Sequence, residues 1–574
     1  MWNDSGEFQS AARDLNIAHA PGYPLYMMAG AAFIRFFPAV KVAYAMNLLS
    51  AVFAALTILI LCLTAIRITG SLLAAAGPAF LSLSPVFFSQ SLKAEVYTLN
   101  LLIISLLLYA YLFLYPENLK RKVFIMAFLS GLAGAHHTVS LIFAAILFAL
   151  LLPSTFKLRK DFTPMDILLA LCLFALPLAS YSYMTVRSSY IGEVFNWDKV
   201  SGARELINYI SGSHFRSKIF ASGITGALTA AARLAGLLAA SFAFLPAALG
   251  AAGMLYSFRN SRRIFIALSL VFAADTLFCM LYGVSDIEVF FLPALLVFSL
   301  FTAFGLKWAD ENISRRRKTA FASLLLLFFV PGEIVFRATG IKPFSRDYYL
   351  PYDYASVSLS RMPENSSIIS SWEEFTPLKQ YYMENMKGKN INILSRGAGK
   401  TLDWPDIYSR LSKKGPVYFT RAAASLRGKL SLRQDHFLFT ALENLPVPAD
   451  GSYSGCTVYK AAPGYRAVIA DMTEFKKRGF VRLLVVFDGK TGGEFYTALS
   501  SGDKTYYYLD HPPLFACTWE GKPAEERYLY IPAGADTGKM DVILGTVSEA
   551  GRVKGKNTVS VPCSFFLKNN NKGF

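Results

Sequence analysis

The stretch Lys41–Ile66, KVAYAMNLLSAVFAALTILILCLTAI, decides the fold class of this 574-residue chain. After its first residue it carries no charged side chain, and roughly 20 predominantly apolar residues are enough to cross the hydrocarbon core of a bilayer. Similar runs fill the chain up to about Phe336 and then stop. With 54% hydrophobic residues and a mean hydropathy of +0.38, the composition indicates a multi-pass integral membrane protein.

Ten membrane spans are predicted. The two on either side of His136 are short, and we expect them to form a hairpin of tilted or partly inserted helices. A further apolar stretch, Tyr23–Phe37, is short and bounded by Pro; we expect it to lie in the interface or to re-enter the membrane, and do not count it as a span. The spans are Lys41–Ile66, Gly70–Gln90, Glu95–Tyr115, Val123–His136, Thr138–Leu152, Asp166–Val186, Gly226–Leu255, Ile264–Val284, Val289–Leu306 and Thr319–Phe336.

Lys and Arg concentrate in alternate loops, which indicates that those loops are cytoplasmic. Residues 4–38, 187–225 and everything after Arg337 therefore face outward. The same loops account in part for the net charge of +18, so the basic balance does not indicate nucleic acid as a partner. We expect the outer space to be the bacterial periplasm rather than the ER lumen.

Four regions follow from this topology. Residues 1–40 form an outward loop, and residues 41–336 form the bundle of about ten helices, with the outward loop 187–225. Residues 337–460 are predicted to be an extracytoplasmic α/β region, in which Ser367–Met386 followed by Ile391–Leu394 forms one α/β unit. Residues 461–574 are predicted to be β-rich and sandwich-like, with strand runs such as Phe480–Phe487.

Ionisable and aromatic side chains gather at the outer ends of the spans. Ionisable residues are costly at a bilayer edge, so each is a functional candidate. Singly, each also has an ordinary interpretation: Glu95 as a favourable charge at a helix start, His136 as a packing residue. Their convergence on one face predicts a shared site. Its candidates are Asp4, Glu7, His19, Lys93, Glu95, Tyr97, His136, His137 and Arg187, with Asp275 inside a span.

Several strings of this sequence resemble one family in order. They are DSGEF (4–8), HAPGYPLY (19–26), AMNLLSAVFAAL (45–56), KAEVYTLN (93–100), GLAGAHHTVSL (131–141) and FNW (195–197). Together they resemble the transmembrane O-mannosyltransferase-like family of the GT-C glycosyltransferases. The match covers about the first 215 residues, and more loosely 353–394 and 415–420.

This resemblance implies a GT-C-like bundle, a catalytic acid in the first outward loop and a sugar donor carried on polyprenyl phosphate. The chain departs from the family in two places. The family has a membrane helix before the DSGE loop, so we expect roughly 20 apolar residues to be encoded upstream of Met1. The family also has Asn before the first histidine, where this chain has Ala135.

The expected reaction assigns a role to each candidate. Transfer from a lipid phosphate to a hydroxyl needs a base for the hydroxyl proton, and Asp4 is predicted to be that base, with Glu7 orienting the acceptor or maintaining the charge of Asp4. Arg187 offers the planar fork suited to phosphate. The other predicted donor-binding residues are His19, Lys93, Glu95, Tyr97, His136 and His137, and Asn196, Trp197 and Asp275 are further candidates.

The resemblance favours inversion at the sugar carbon and transfer of mannose or another hexose, most simply protein O-glycosylation. The predicted partners are the lipid-linked donor, a protein or glycan acceptor and the bilayer. We expect no cofactor and no dedicated metal site, although Asp4, Glu7 and His137 could hold a divalent ion. Two alternatives stay open: a flippase for lipid-linked sugars, or a membrane-anchored glycan-binding protein.

Overall fold

The structure is a computed structural model that describes most of residues 4–314 and separate segments after residue 350. It divides into two compact units, residues 4–342 and residues 343–574. The described ranges are 4–115, 117–157, 162–188, 197, 200–221, 223–242, 244–284, 286–314, 350–370, 372–386, 388–395, 404–420, 432–435, 438–441, 447–448, 458–462, 465–469, 480–487, 495–501, 504–511, 517–519, 522–530, 541–546 and 559–562.

The described residues of the first unit are mainly helical, with short 3₁₀ turns at Leu72–Ala75, Ala179–Tyr181, Ser213–Lys218 and Ile287–Phe291. Apolar side chains dominate these segments. They are helical because peptide groups inside a bilayer must hydrogen-bond within their own segment. Its helices are α1 Asp4–Asp14, α2 Pro24–Phe36, α3 Val42–Thr69, α4 Ala76–Ser82, α5 Pro85–Ser91, α6 Tyr97–Phe113, α7 Leu119–His136, α8 Ser140–Lys157, α9 Pro164–Leu178, α10 Ser182–Ser188, α11 Ala203–Ile210, α12 Gly223–Phe242, α13 Phe244–Asn260, α14 Arg262–Leu281 and α15 Leu292–Ser314.

Five described stretches are long and apolar enough to cross a membrane, and α4 with α5 makes a sixth that bends by 74°. The bend lies at Ser84–Pro85, where the proline cannot continue the hydrogen-bond ladder. The predicted span Thr319–Phe336 lies outside the described residues. The five stretches are Val42–Thr69, Pro164–Ser188, Gly223–Phe242, Arg262–Leu281 and Ile287–Asn312.

The predicted span Gly226–Leu255 falls on α12 and α13, which lie on either side of residue 243, outside the described residues. α13 runs parallel to α15: the Thr302 hydroxyl lies 3.5 Å from the carbonyl oxygen of Pro246, and the Tyr256 hydroxyl donates to Glu311 at 2.7 Å. α13 and α15 therefore lie side by side in the bundle.

α15 is the central helix of the bundle, and most of its side chains are buried. Its backbone packs directly on α13 where glycines face each other. A Cβ on Gly253 would lie 1.9 Å from the carbonyl oxygen of Phe301, and one on Gly305 equally close to that of Leu249. Only glycine permits this approach, which replaces side-chain contact by close backbone packing.

The segment before the first long helix, expected as an outward loop, forms α1 and α2. Eight consecutive residues of α1, from Ser5 to Ala12, are buried. Phe8, Ala11 and Ala12 pack with Tyr26 and other residues of the turn and of α2, α3 and α10 in a second hydrophobic cluster. The segment therefore has a core of its own, which holds its polar side chains in fixed positions.

The second unit begins with an α/β region whose helices are Leu350–Ser360, Trp372–Asn385 and Trp404–Ser412. The predicted α/β unit is present: β1 pairs in parallel with β2 across the helix Trp372–Asn385, and the five-stranded sheet has the order β2-β1-β3-β5-β4. Its strands are β1 Ser366–Ser370, β2 Ile391–Ser395, β3 Val417–Phe419, β4 Leu432–Asp435 and β5 Leu438–Ala441.

The remaining strands form two further sheets, of orders β11-β10-β14-β15 and β6-β12-β13-β9-β8-β7. β13 of the larger sheet contacts β10 and β11 of the smaller one, as in a sandwich. The strands are β6 Val447–Pro448, β7 Val458–Ala462, β8 Tyr465–Ile469, β9 Phe480–Phe487, β10 Phe495–Ser501, β11 Lys504–His511, β12 Cys517–Trp519, β13 Lys522–Tyr530, β14 Asp541–Thr546 and β15 Val559–Pro562.

Candidate active site

The candidate site is built around α1, whose first turn carries both predicted catalytic acids. Asp4 and Glu7 are three residues apart, so they share one face of the helix. Acidic side chains are favourable at this end because the peptide dipoles give it partial positive charge. Asp4 is half-buried, whereas Glu7 is fully buried.

Glu7 holds the turn that follows α1. Its Oε2 lies 2.7 Å from Nδ1 of His19, and its Oε1 accepts a hydrogen bond from the backbone N–H of the same residue. Burial lowers the pKa of His19, but the adjacent Glu7 carboxylate outweighs that effect and raises the pKa to about 9. Burial raises the pKa of Glu7, against the opposing charge of His19. His19 is therefore an imidazolium at neutral pH, paired with the Glu7 carboxyl group.

The turn from His19 to Pro24 has little freedom. It contains a cis Ala20–Pro21 bond, and the φ angles of Gly22 and Tyr23 are +89° and +43°. A Cβ on Gly22 would lie 2.7 Å from the terminal methyl of Met184. Gly22 is needed both for its backbone angle and for this contact.

Glu95 approaches α1 from the loop between α5 and α6. Its Oε1 accepts a hydrogen bond of 3.0 Å from the hydroxyl of Ser5, next to Asp4. Burial and then the charge of Asp4 raise the pKa of Glu95, while Lys93 acts in the opposite sense. Asp4, Glu7, Glu95, Lys93 and His19 thus form one group of interacting charges.

His136 and His137 contact Val96 and Tyr23, which lie next to this group. Nε2 of His136 lies 2.8 Å from the carbonyl oxygen of Val96. The ring centres of His136 and His137 each lie 6.0 Å from that of Tyr23, the first edge-on and the second tilted. Tyr97, one residue on, contacts Phe290 at 5.7 Å. The described contacts of the two histidines are thus with backbone and aromatic rings, and their predicted donor-binding role stays a prediction.

Arg187 is held at the other end of α1. Its Nη2 donates to the carbonyl oxygen of Asp14 at 2.7 Å and to Oδ1 of Asn16 at 3.3 Å. Asp14 follows Asp4 by ten residues of helix, which is about 15 Å along the axis. A cation stabilises the carbonyl end of a helix, so these contacts fix α1 in place. The predicted phosphate contact of Arg187 stays a prediction.

A segment after α10 covers His19. Trp197 donates its backbone N–H to Ile17 at 3.0 Å, and its ring lies 5.7 Å from that of His19. Phe215 lies at 6.4 Å from the same ring, and the Tyr209 hydroxyl donates to the carbonyl oxygen of Ala18. Asn196, the other candidate in this segment, lies outside the described residues.

Asp275 has a different environment from the other candidates. It is buried in α14, and its Oδ2 accepts a hydrogen bond of 3.0 Å from the backbone N–H of Ala294, in the first turn of α15. It therefore caps the central helix. Asp275 also lines a small polar cavity with His137, Asn100 and Ser140.

The residues best placed to hold a divalent ion are Asp4, Glu7 and His19. One ligand atom from each lies within 4.8 Å of the other two. Two carboxylates and an imidazole suit borderline cations such as Zn²⁺ or Mn²⁺. The sequence proposed His137 as the third ligand; the geometry favours His19, because the turn folds back onto Glu7.

Sequence reasoning did not identify Ser5, Ser50 and Tyr23. The Ser5 hydroxyl donates to the Glu95 side chain, and the Ser50 hydroxyl lies within 3.4 Å of the backbone N–H and carbonyl oxygen of Glu95. Tyr23 packs between His19 and His136. All three lie inside the quoted strings DSGEF, AMNLLSAVFAAL and HAPGYPLY. Position within those strings was therefore a usable signal.

The first third of the chain is similar to known proteins. Residues 4–160 match the model of the protein O-mannosyl-transferase TMEM260 N-terminal domain. The chain is 34% identical over 219 residues to the protein O-mannosyl-transferase TMEM260 of Mus musculus; the match takes in 36% of this chain and 30% of the relative, so the chain spans about a third of that protein's length.

Among solved structures, ArnT from Cupriavidus metallidurans bound to undecaprenyl phosphate superposes with a TM-score of 0.53 at 12% identity, covering 78% of this chain and 95% of ArnT. Apo ArnT gives a TM-score of 0.50 at 11% identity, covering 76% and 93%. The predicted fold class and family resemblance are confirmed: the chain has a membrane fold like that of ArnT, and its residues 4–160 match the TMEM260 N-terminal domain model.

Proposed function

We propose that this protein is a membrane glycosyltransferase that moves a sugar, mannose or another hexose, from a polyprenyl-phosphate donor to a hydroxyl group of a protein or glycan. The observation that carries the proposal is the coupled group of Asp4, Glu7, His19 and Glu95, which lies inside the segment that matches an O-mannosyl-transferase domain. The site faces the extracytoplasmic side in this proposal, most simply the periplasm.

Asp4 is the proposed base. It is half-buried at the helix start, and its carboxylate takes the proton from the acceptor hydroxyl as the hydroxyl oxygen attacks the sugar carbon. The bond from that carbon to the phosphate oxygen breaks, and the lipid phosphate leaves with the bonding electrons. One displacement of this kind inverts the sugar carbon.

Glu7 and His19 serve Asp4 indirectly. The Glu7 carboxylate is already engaged by His19, at 2.7 Å from its Nδ1, so it is positioned as a support and not as a second base. The imidazolium of His19 supplies positive charge close to Asp4, and with Lys93 it can stabilise the leaving phosphate. A divalent ion held by Asp4, Glu7 and a neutral His19 would displace the His19 proton and would itself supply the positive charge for the same phosphate.

Asp4→Asn tests the proposal directly. The change keeps the size of the side chain and removes the base, so we expect transfer to fall by about 10²- to 10⁴-fold. The matched control is Asp14→Asn, which changes the exposed acid at the other end of the same helix. Transfer is measured by mass spectrometry as hexose added to a Ser- and Thr-containing peptide from a synthetic polyprenyl-phosphate hexose.

Full transfer by Asp4→Asn at normal expression would remove Asp4 from the mechanism. A flippase gives a different result in the same membranes. It would move a fluorescent lipid-linked sugar between leaflets and modify no peptide, with or without Asp4. A binding protein would retain its glycan ligand in the Asp4→Asn variant.

A further inference from the structure

A second charged group surrounds Tyr111, near the carbonyl end of α6. The ring is buried, with 2% of its surface exposed. Nζ of Lys122, from α7, lies 5.5 Å from the ring centre, and the guanidinium carbon of Arg263, from α14, lies 5.6 Å from it. Nε of Arg263 also lies 3.5 Å from the Tyr111 hydroxyl. Two cations from different helices thus share one aromatic ring.

This pair has no counter-charge within the described part of the chain. Neither cation has a carboxylate oxygen within 4.0 Å among those residues, and the two like charges repel each other. Only 6% of the Lys122 surface is exposed, so water screens it poorly. A buried charge needs a partner of opposite sign, and an anion from outside the chain would supply it.

The helix ends strengthen the preference for an anion. α7 begins at Leu119 and α14 at Arg262, so both present their partially positive ends here. The side chain of Ser261 does not cap α14. The carbonyl end of α6 offers the opposite sign, but only about half an elementary charge, which is less than two full cations.

The location indicates where such an anion comes from. Lys122 precedes His136 by fourteen residues of one helix, which places it about 21 Å from the outer end, at the opposite end of the bundle. Ile266 follows Arg263 by three residues and Leu270 follows it by seven, so the three lie along one face of α14. The exposed fractions of Ile266 and Leu270 are 38% and 43%. An apolar strip therefore leads from the cations along the bundle surface.

We propose that Lys122 and Arg263, with Tyr111 between them, bind the phosphate group of an anionic phospholipid whose acyl chain lies along Ile266 and Leu270. Basic side chains between membrane helices recognise phospholipid headgroups in this way. Inorganic phosphate offers the same charge without the chain. The apolar strip favours the lipid.

The test uses the full chain in vesicles of phosphatidylcholine with or without phosphatidylglycerol, followed by native mass spectrometry. We expect the wild type to retain phosphatidylglycerol and Lys122→Gln with Arg263→Gln to lose it, each change weakening binding about fivefold. The matched control is Arg121→Gln with Arg262→Gln, which removes two cations from the same helix ends; these stack on Tyr115 and Phe258 instead. Equal loss in both pairs would overturn the proposal.

A second measurement separates lipid binding from a purely structural role of the ring contacts. Arg263→Gln changes an exposed side chain, so the variant should fold. In phosphatidylcholine alone we expect its Tm to equal or exceed that of the wild type, since a repulsion is removed. Phosphatidylglycerol should then raise the Tm of the wild type only. A lower Tm in both lipids would overturn the proposal, and so would equal protection of the wild type by inorganic phosphate.

Discussion

The two ends of the helical unit differ in how their charges are satisfied. At the Asp4 end, acids and bases lie next to each other: Glu7 meets His19 at 2.7 Å, and Glu95 accepts a hydrogen bond from Ser5. At the opposite end, Lys122 and Arg263 meet an aromatic ring, and within the described residues no carboxylate joins them. One end is organised by the chain itself, and the other is completed by a partner from outside.

The largest effect is expected at the Asp4 end, from Glu7→Ala. This change leaves the buried His19 without its carboxylate and frees a backbone N–H, so we expect the free energy of unfolding to fall by about 3–5 kcal/mol. Thermal unfolding followed by tryptophan fluorescence measures it. Glu205→Ala, on the exposed side of α11, is the control and should be nearly neutral. An unchanged Tm for Glu7→Ala would contradict the role of this pair.

Gly22→Ala should have the next largest effect. Alanine is strained at a φ of +89°, and its Cβ would meet Met184, so we expect a loss of about 1–3 kcal/mol and reduced transfer. Gly212 has a φ of +61° with no atom within 4 Å of its Cβ position. Gly212→Ala therefore reports the backbone strain alone. If the two variants unfold at the same temperature, the Met184 contact is unimportant.

The pH dependence of stability tests the charge on His19. A histidine has a pKa of about 6.5 when unfolded, and Glu7 raises it to about 9 in the folded protein. The stabilisation is therefore complete below about pH 6.5 and is lost as the pH rises through 9. We expect the free energy of unfolding to fall by about 1–3 kcal/mol over this interval, the Tm to fall with it, and His19→Gln to flatten that fall. Parallel curves for both proteins would contradict it.

The smallest effect is expected at the opposite end, from Thr163→Ala. Its hydroxyl caps α9 in a reciprocal pair of hydrogen bonds with Asp166, and losing such a cap costs about 1 kcal/mol. Transfer should not change, because the residue is remote from Asp4. Thr229→Ala, whose hydroxyl bonds only within its own helix, should be within 0.5 kcal/mol of the wild type. A loss of transfer in Thr163→Ala would show that the two ends are coupled.

Much of the fold was predictable because it follows from local patterns. The strand Phe480–Phe487 and the α/β unit after Ser366 appear where alternation and turns predicted them. The helical form of residues 4–14 was not predicted, since most of its stability comes from tertiary burial of Phe8 and its neighbours.

The sequence predicted which residues form the candidate site better than it predicted the contacts between them. Topology and string resemblance brought Asp4, Glu7, His19 and Glu95 to one face, and the structure places them together. The pairing of Glu7 with His19 depends on the turn at Gly22 and could not be derived from spacing. The position of Arg187 on the far end of α1 depends on the path of α10, which composition does not encode.

α10 has a consequence for the interpretation of inherited or engineered variation. Tyr183 donates its hydroxyl to Asn16, Met184 fills the space at Gly22, and Arg187 binds Asp14, 173 residues earlier in the chain. A missense change in this one short helix would therefore act on α1 and its turn while leaving every acidic side chain intact. Loss-of-function variants should therefore cluster in two separate segments of the sequence, α1 with its turn and α10. Variants in α10 could be mistaken for defects of membrane insertion.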